Sequence, residues 1–88
     1  MNIHVGREAF VNNPLKNNLR PFPQIDNRPF IEIEDQTTVL VLHGPIEFDH
    51  NGRAIPYWIV RVLEGTLKNA AGWMAEVNQS GTDILIGL

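Results

Sequence analysis

The chain has 88 residues, of which 43% are hydrophobic and 19% are charged, and its formal net charge at pH 7 is −3. These values are typical of one small globular domain and argue against intrinsic disorder. The sequence has no cluster of lysine and arginine to neutralise phosphates, so nucleic acid is not an expected partner. It also has no cysteine, which excludes disulfides, thiolate chemistry and cysteine-based zinc sites.

The sequence shows no pattern for export or membrane insertion. Its opening, MNIHVGREAFV, lacks the charged segment followed by an apolar run that marks a signal peptide. No apolar run approaches the ~18 residues that a membrane span requires. We therefore expect a soluble protein with no direct membrane insertion, and its compartment is left open between the cytoplasm and a larger assembly.

Residues 1–29 are rich in asparagine and in proline, which interrupts both helices and strands. Val5 and the pair Phe10-Val11 could form short strands locally. The composition nevertheless favours an irregular N-terminal arm over residues 1–17, followed by a long loop. The segment RPFP at residues 20–23 could adopt a polyproline II conformation, and a structural use is favoured over recognition by another domain.

From residue 30 onward, short runs of β-branched and aromatic residues favour strands. No window of eleven residues has a helical period, so helix is expected only as a turn at residues 67–71. The expected fold is therefore all-β, a small barrel or sandwich. Strands are predicted at residues 30–34, 37–42, 57–63, 73–77 and 84–88.

Turn residues separate these strands. Asp35-Gln36 is predicted to join the first two, and His43-Gly44-Pro45 to end the second. Asn51-Gly52 is the strongest hairpin signal, because both residues tolerate a positive φ. We expect this pair to lie within a loop at residues 46–56.

Side chains alternate between the two faces of a strand, so the run at residues 57–63 presents one face to the core and one away from it. Trp58, Val60 and Val62 are predicted to face the core. Large aromatic residues dominate small cores, so both tryptophans are assigned to it. The predicted core comprises Val39, Val41, Trp58, Val60, Val62, Trp73 and Val77.

The opposite face of the same strand carries the candidate binding residues. Tyr57, Ile59 and Leu63 form an aromatic and aliphatic row that is predicted to be exposed, and such surfaces commonly mark a protein contact. Phe10 and Phe22 are predicted to extend this surface from the N-terminal part of the chain.

Four runs resemble bacterial Src-homology-3 domains in their order and spacing: NLRPFPQIDNRPFIEI, TTVLVLHGPIEFDHNG, YWIVRV and GWMAEV. The resemblance covers about residues 18–88. It implies a five- or six-stranded β-barrel without catalytic machinery, which binds peptides, cell-wall stems or neighbouring proteins. The chain departs from the family where Asp35-Gln36 replaces a glycine, Ile59 replaces a lysine and Tyr57 stands where tryptophan is common.

Catalytic and metal-binding signatures are weak. Glu47, Asp49 and His50 could suggest a metal or acid-base cluster, but no second histidine lies at ligand spacing, so a solvated loop is favoured. Ser80 lies in a turn-rich segment with no nearby histidine and is not expected to be a nucleophile. We expect no enzyme activity, no metal and no cofactor.

The preferred function is a non-catalytic interaction or assembly module that binds a protein or peptide through this exposed strand face and through edge strands, as a homo-oligomer or within a larger assembly. The alternative is a module that binds cell-wall peptides as part of a larger or exported bacterial protein.

Overall fold

The computed structural model describes residues 3–14, 17–21, 31–78 and 80–88. Within these ranges the chain is all-β and contains no helix, which confirms the all-β part of the predicted fold. Residues 67–70 form a hydrogen-bonded turn, in which the Ala70 N–H donates to the Leu67 carbonyl at 2.9 Å, and Ala71 already belongs to the next strand. The strands are β1 Glu8–Val11, β2 Asn17–Leu19, β3 Ile31–Ile33, β4 Thr38–His50, β5 Arg53–Val62, β6 Ala71–Ala75 and β7 Leu85–Gly87.

Two sheets share one core. Five antiparallel strands form a main sheet in the order β6-β5-β4-β1-β7, and β2 pairs with β3 in a small sheet. Leu19 and Ile33 of the small sheet pack against one face of the main sheet. Among the described residues the two sheets do not close into a barrel. The core comprises Ala9, Val11, Leu19, Ile33, Val39, Val41, Trp58, Val60, Val62, Met74 and Leu85.

Strands β4 and β5 form one long hairpin around the predicted Asn51-Gly52 turn. The φ angles of these residues, 53° and 84°, suit a two-residue hairpin turn. The predicted loop at residues 46–56 is wrong, because the two halves of that segment pair with each other. The segment at residues 43–45 does not end the strand either, since register shifts on both sides of His43 absorb the irregularity.

The N-terminal segment contributes an inner strand to the main sheet. Strand β1 pairs with β4 on one side and with β7 on the other. Ala9 and Val11 are fully buried, whereas Phe10 between them points to the other face. The predicted irregular arm is therefore wrong for residues 8–11. The asparagine and proline composition of the neighbouring residues does not reveal that this short run completes the core.

Met74, rather than Trp73, is the core residue of β6. Trp58 pairs with Met74, and Ile59 pairs with Trp73. Directly opposed residues on neighbouring strands point to the same face, so Met74 shares the core face with Trp58. The core predictions for Trp73 and Val77 are wrong, because both are half-buried and lie outside the core cluster. The remaining predicted core residues are confirmed: Val39, Val41, Trp58, Val60 and Val62.

The small sheet meets the edge of the main sheet at Arg20 and Trp73. Their backbones exchange hydrogen bonds of 2.8 and 2.7 Å. Gly72 permits this approach, because a Cβ atom there would lie 2.8 Å from the Arg20 carbonyl oxygen and 3.0 Å from Leu19 Cγ. The absence of a side chain at Gly72 thus positions β2 over the core.

Candidate functional site

The face of the main sheet that lies opposite the core is called the outer face below. The strand registers place on it the odd-numbered residues of β5 and the residues directly opposite them on neighbouring strands. The registers of β1 with β4 and β7 extend it to the far edge. None of its apolar side chains belongs to the core cluster. They include Phe10, Leu40, Ile55, Tyr57, Ile59, Leu63, Trp73 and Ile86.

The predicted row of Tyr57, Ile59 and Leu63 lies on the outer face, as strand alternation requires. Its exposure was predicted wrongly. Tyr57 is only 1% exposed, and Ile59 and Leu63 are half-buried. Alternation determines the direction of a side chain, but its burial depends on what packs against that face.

Tyr57 is held by an aromatic cluster on the hairpin. Its hydroxyl lies 3.1 Å from His50 Nε2, and the two ring centroids are 6.1 Å apart. The His50 ring in turn lies 5.0 Å from that of Phe48. Burial raises the pKa of Tyr57, an effect that the nearby Arg20 cation partly offsets. The Tyr57 ring is therefore packed within the outer face and is not exposed for contact with a partner.

The outer face is more open at the end away from the Asn51-Gly52 turn, where β1 pairs with the start of β4. Phe10 is half-buried there, directly opposite Thr38 and Ile86 on its two neighbouring strands. Glu8 and Arg61 are exposed on the same face. Phe22, the other N-terminal residue predicted to take part in binding, lies outside the described residues.

Leu40 and Trp73 are among the apolar members of the outer face that the sequence analysis did not identify, and the reasons differ. Leu40 lies between Val39 and Val41, so strict alternation would have placed it on the outer face. Trp73 carries no such signal, because its face depends on the register between β5 and β6. An aromatic residue in a short strand is compatible with either face.

The predicted catalytic and metal candidates do not converge. Glu47 and Asp49 are exposed and point to the face opposite the His50 ring, because they alternate with it along β4. No group of three histidine, aspartate or glutamate side chains in the described ranges is placed to hold a metal ion. Ser80 takes part in a turn, where its N–H donates to Asn78 Oδ1 at 2.9 Å.

A groove of about 280 Å³ lies between the turn after β3 and the loop after β5. Its lining mixes apolar side chains with carboxylates. Glu64 is tied to the start of β4, since its Oε1 accepts a hydrogen bond from the Thr38 N–H at 3.0 Å. The lining residues are Glu32, Ile33, Glu34, Thr37, Val62, Glu64, Gly65, Thr66 and Leu67.

No protein-family model, curated protein or solved structure matches this chain. The resemblance to bacterial Src-homology-3 domains therefore stays a prediction. No helix in the described part of the chain is long and apolar enough to cross a membrane.

Proposed function

We propose that the chain is a non-catalytic protein-interaction module that binds a protein partner through its outer face. The observation that carries this proposal is a sheet face with apolar side chains on every strand, none of which the core cluster uses. The half-buried members, among them Leu40, Ile59 and Leu63, retain part of their apolar surface, and adjoining apolar surface of this kind commonly marks a contact. Binding a partner would remove this surface from water.

Within the outer face, we assign the direct contacts to Leu40, Ile59 and Leu63. These side chains are half-buried, so each retains surface that a partner can cover. Tyr57 has a supporting role, because its ring is buried and its hydroxyl is engaged with His50. A rigid layer beneath the contact residues lowers the entropy that is lost on binding.

We also propose that the two sheets are parts of a Src-homology-3-like barrel. The backbone hydrogen bonds between Arg20 and Trp73 support this proposal, since they join the small sheet to the edge of the main sheet. A barrel of this kind would place the outer face on its external surface, where a partner has access.

The test compares two charge-introducing variants in a partner-capture experiment. Ile59→Lys/Leu63→Lys places two cations on the outer face, whereas the control Leu67→Lys alters a side chain that is 37% exposed in the loop after β5. Captured proteins would be identified, purified and titrated against each variant. We expect the outer-face variant to bind at least about tenfold more weakly, because interface cores exclude unpaired charge.

Circular dichroism must first show that both variants fold as the parent does. A folded outer-face variant that binds the purified partner as tightly as the parent would contradict the proposal. The alternative function predicts a different pattern, in which the parent and both variants sediment equally with purified cell walls.

A further inference from the structure

We propose that the partner bound at the outer face is a second copy of this chain, packed face to face about a twofold axis. The inference rests on the proposed function and adds the identity of the partner. It is carried by one line of side chains that crosses all five strands of the main sheet, called the crossing row below. The crossing row consists of Leu88, Glu8, Leu40, Arg61 and Ala71, in that order.

The registers define the crossing row step by step. Leu40 lies opposite Glu8 on β1 and opposite Arg61 on β5. Arg61 lies opposite Ala71 on β6. At the other end, the Leu88 N–H donates to the Glu8 carbonyl at 3.1 Å and continues the register of β7. All five side chains therefore point to the outer face.

The charges of the crossing row are arranged antisymmetrically about its centre. Glu8 and Arg61 lie on the two strands that flank β4, each about 4.8 Å from the strand that carries Leu40. Both are exposed, and neither forms an ion pair within the described part of the chain. The side chains at the two ends of the crossing row, Leu88 and Ala71, carry no charge.

A twofold axis that runs parallel to β4, above Leu40 and midway between the two packed sheets, makes the crossing row complementary to itself. The rotation exchanges the two sides of the sheet, so Glu8 of each copy faces Arg61 of the other. Leu40 then faces its own symmetry mate. Packed sheets lie about 10 Å apart, a distance that long side chains from both sides bridge together. An unrelated partner would require no such antisymmetric arrangement.

The neighbouring row of the outer face adds apolar contact about the same axis. It contains Phe10 on β1, Thr38 on β4 and Leu63, the residue that directly follows β5 and lies opposite Thr38. The rotation places Phe10 of one copy opposite Leu63 of the other. Phe10 and Leu63 of this neighbouring row supply buried apolar surface, and the two ion pairs of the crossing row determine the register of the two copies.

The test reverses one charge at a time and then mixes the variants. Glu8→Arg places cations opposite cations in its homodimer, and Arg61→Glu places carboxylates opposite carboxylates. We expect the parent to dimerise in sedimentation equilibrium and each single variant to dimerise at least about tenfold more weakly, because like charges face each other. An equimolar mixture restores two ion pairs of opposite charge and should form the heterodimer at near-parental affinity.

The control is Glu47→Arg, which makes the same change of charge at an exposed hairpin position off the outer face. It should dimerise as the parent does. The double variant Glu8→Arg/Arg61→Glu should also recover the homodimer, because the charges are exchanged within one chain. Recovery in both the mixture and the double variant distinguishes paired charges from a change in folding.

A monomeric parent at millimolar concentration would overturn the inference, as would single variants that dimerise like the parent or a mixture that shows no recovery. A monomeric parent that still binds another purified protein, with loss in Ile59→Lys/Leu63→Lys, would leave the proposed function standing and overturn only the second copy. A monomeric parent with no outer-face partner would overturn both.

Discussion

Trp58 and Ile59 are neighbours on β5, yet they belong to two different environments. Trp58 is 6% exposed within the core cluster, whereas Ile59 is half-buried on the outer face. The core face is covered by the small sheet, through Leu19 and Ile33. Alternation thus divides the side chains of a strand equally between two faces, while the burial of each face is decided by the element that packs against it.

The outer face itself is uneven. At the hairpin end, Ile55 and Tyr57 are each 1% exposed, although neither belongs to the core cluster. At the other end, Phe10 and Leu40 are half-buried, and Arg61 is exposed. The hairpin end therefore contributes to stability, and the open end is available for association.

The largest expected effect separates the two tryptophans. Trp58→Ala should lower the free energy of unfolding by about 3–5 kcal/mol, because it leaves a cavity in the core. Trp73→Ala removes the same side chain from the outer face and should cost less than half as much, since Trp73 is half-buried. Urea denaturation of both variants measures the difference. Equal losses would contradict the assignment of the two faces.

The next effect concerns the approach of the small sheet to the core face. Gly72→Ala should destabilise the fold by about 1–3 kcal/mol, because the new Cβ would overlap the Arg20 carbonyl oxygen 2.8 Å away. The control Ala71→Val enlarges an exposed side chain one position earlier and should change stability by no more than about 0.5 kcal/mol. Thermal unfolding of the two variants checks this expectation. Equal stability would show that β2 does not depend on Gly72.

A smaller effect is expected at the polar edge of the core. The Trp58 indole N–H donates to Glu76 Oε1 at 2.8 Å. Glu76→Leu leaves this donor without an acceptor and should cost about 1 kcal/mol, while Glu76→Gln retains a side-chain oxygen and should cost less. Tryptophan fluorescence during urea denaturation reports the change. The hydrogen bond would be unimportant if both variants unfolded at the urea concentration of the parent.

The last prediction concerns pH and the buried hairpin end. The pKa of Tyr57 is raised above its ordinary value of 10.0, so the folded state retains a proton that the unfolded state loses. The resulting stabilisation is complete below pH 10 and is lost as the pH rises through the folded-state pKa. Tyr57→Phe should remove this loss of stability at alkaline pH.

This prediction can be checked by absorbance, because Tyr57 is the only tyrosine in the chain. Tyrosinate should form in the folded protein with a midpoint above 10.0, the ordinary value. A midpoint at or below that value would contradict the burial of the Tyr57 hydroxyl.

Local sequence patterns were sufficient for the fold class and for much of the core. β-Branched residues at Val39, Val41, Val60 and Val62 indicate strands, because their side chains suit a pleated surface. The Asn51-Gly52 turn was also predictable, since few residue pairs tolerate two positive φ angles. These features depend on interactions within a few residues along the chain.

For the candidate site, the sequence predicted the face to which the side chains point but not how deeply they are buried. Alternation around Trp58 placed Tyr57, Ile59 and Leu63 together on the outer face, but it did not reveal that Tyr57 is buried beside His50. Nor did it place Phe10 on an inner strand, because the partners of β1 lie far away in the sequence. Side-chain burial in a sheet depends on the elements that pack against it.

Local backbone preferences and a period of two are enough to predict an all-β chain, one tight hairpin turn and the two faces of β5. They do not predict that Met74 replaces Trp73 in the core, or that Glu8, Leu40 and Arg61 lie in one line. Both depend on the register between strands, because a shift of one residue reverses every face and leaves the local sequence pattern unchanged.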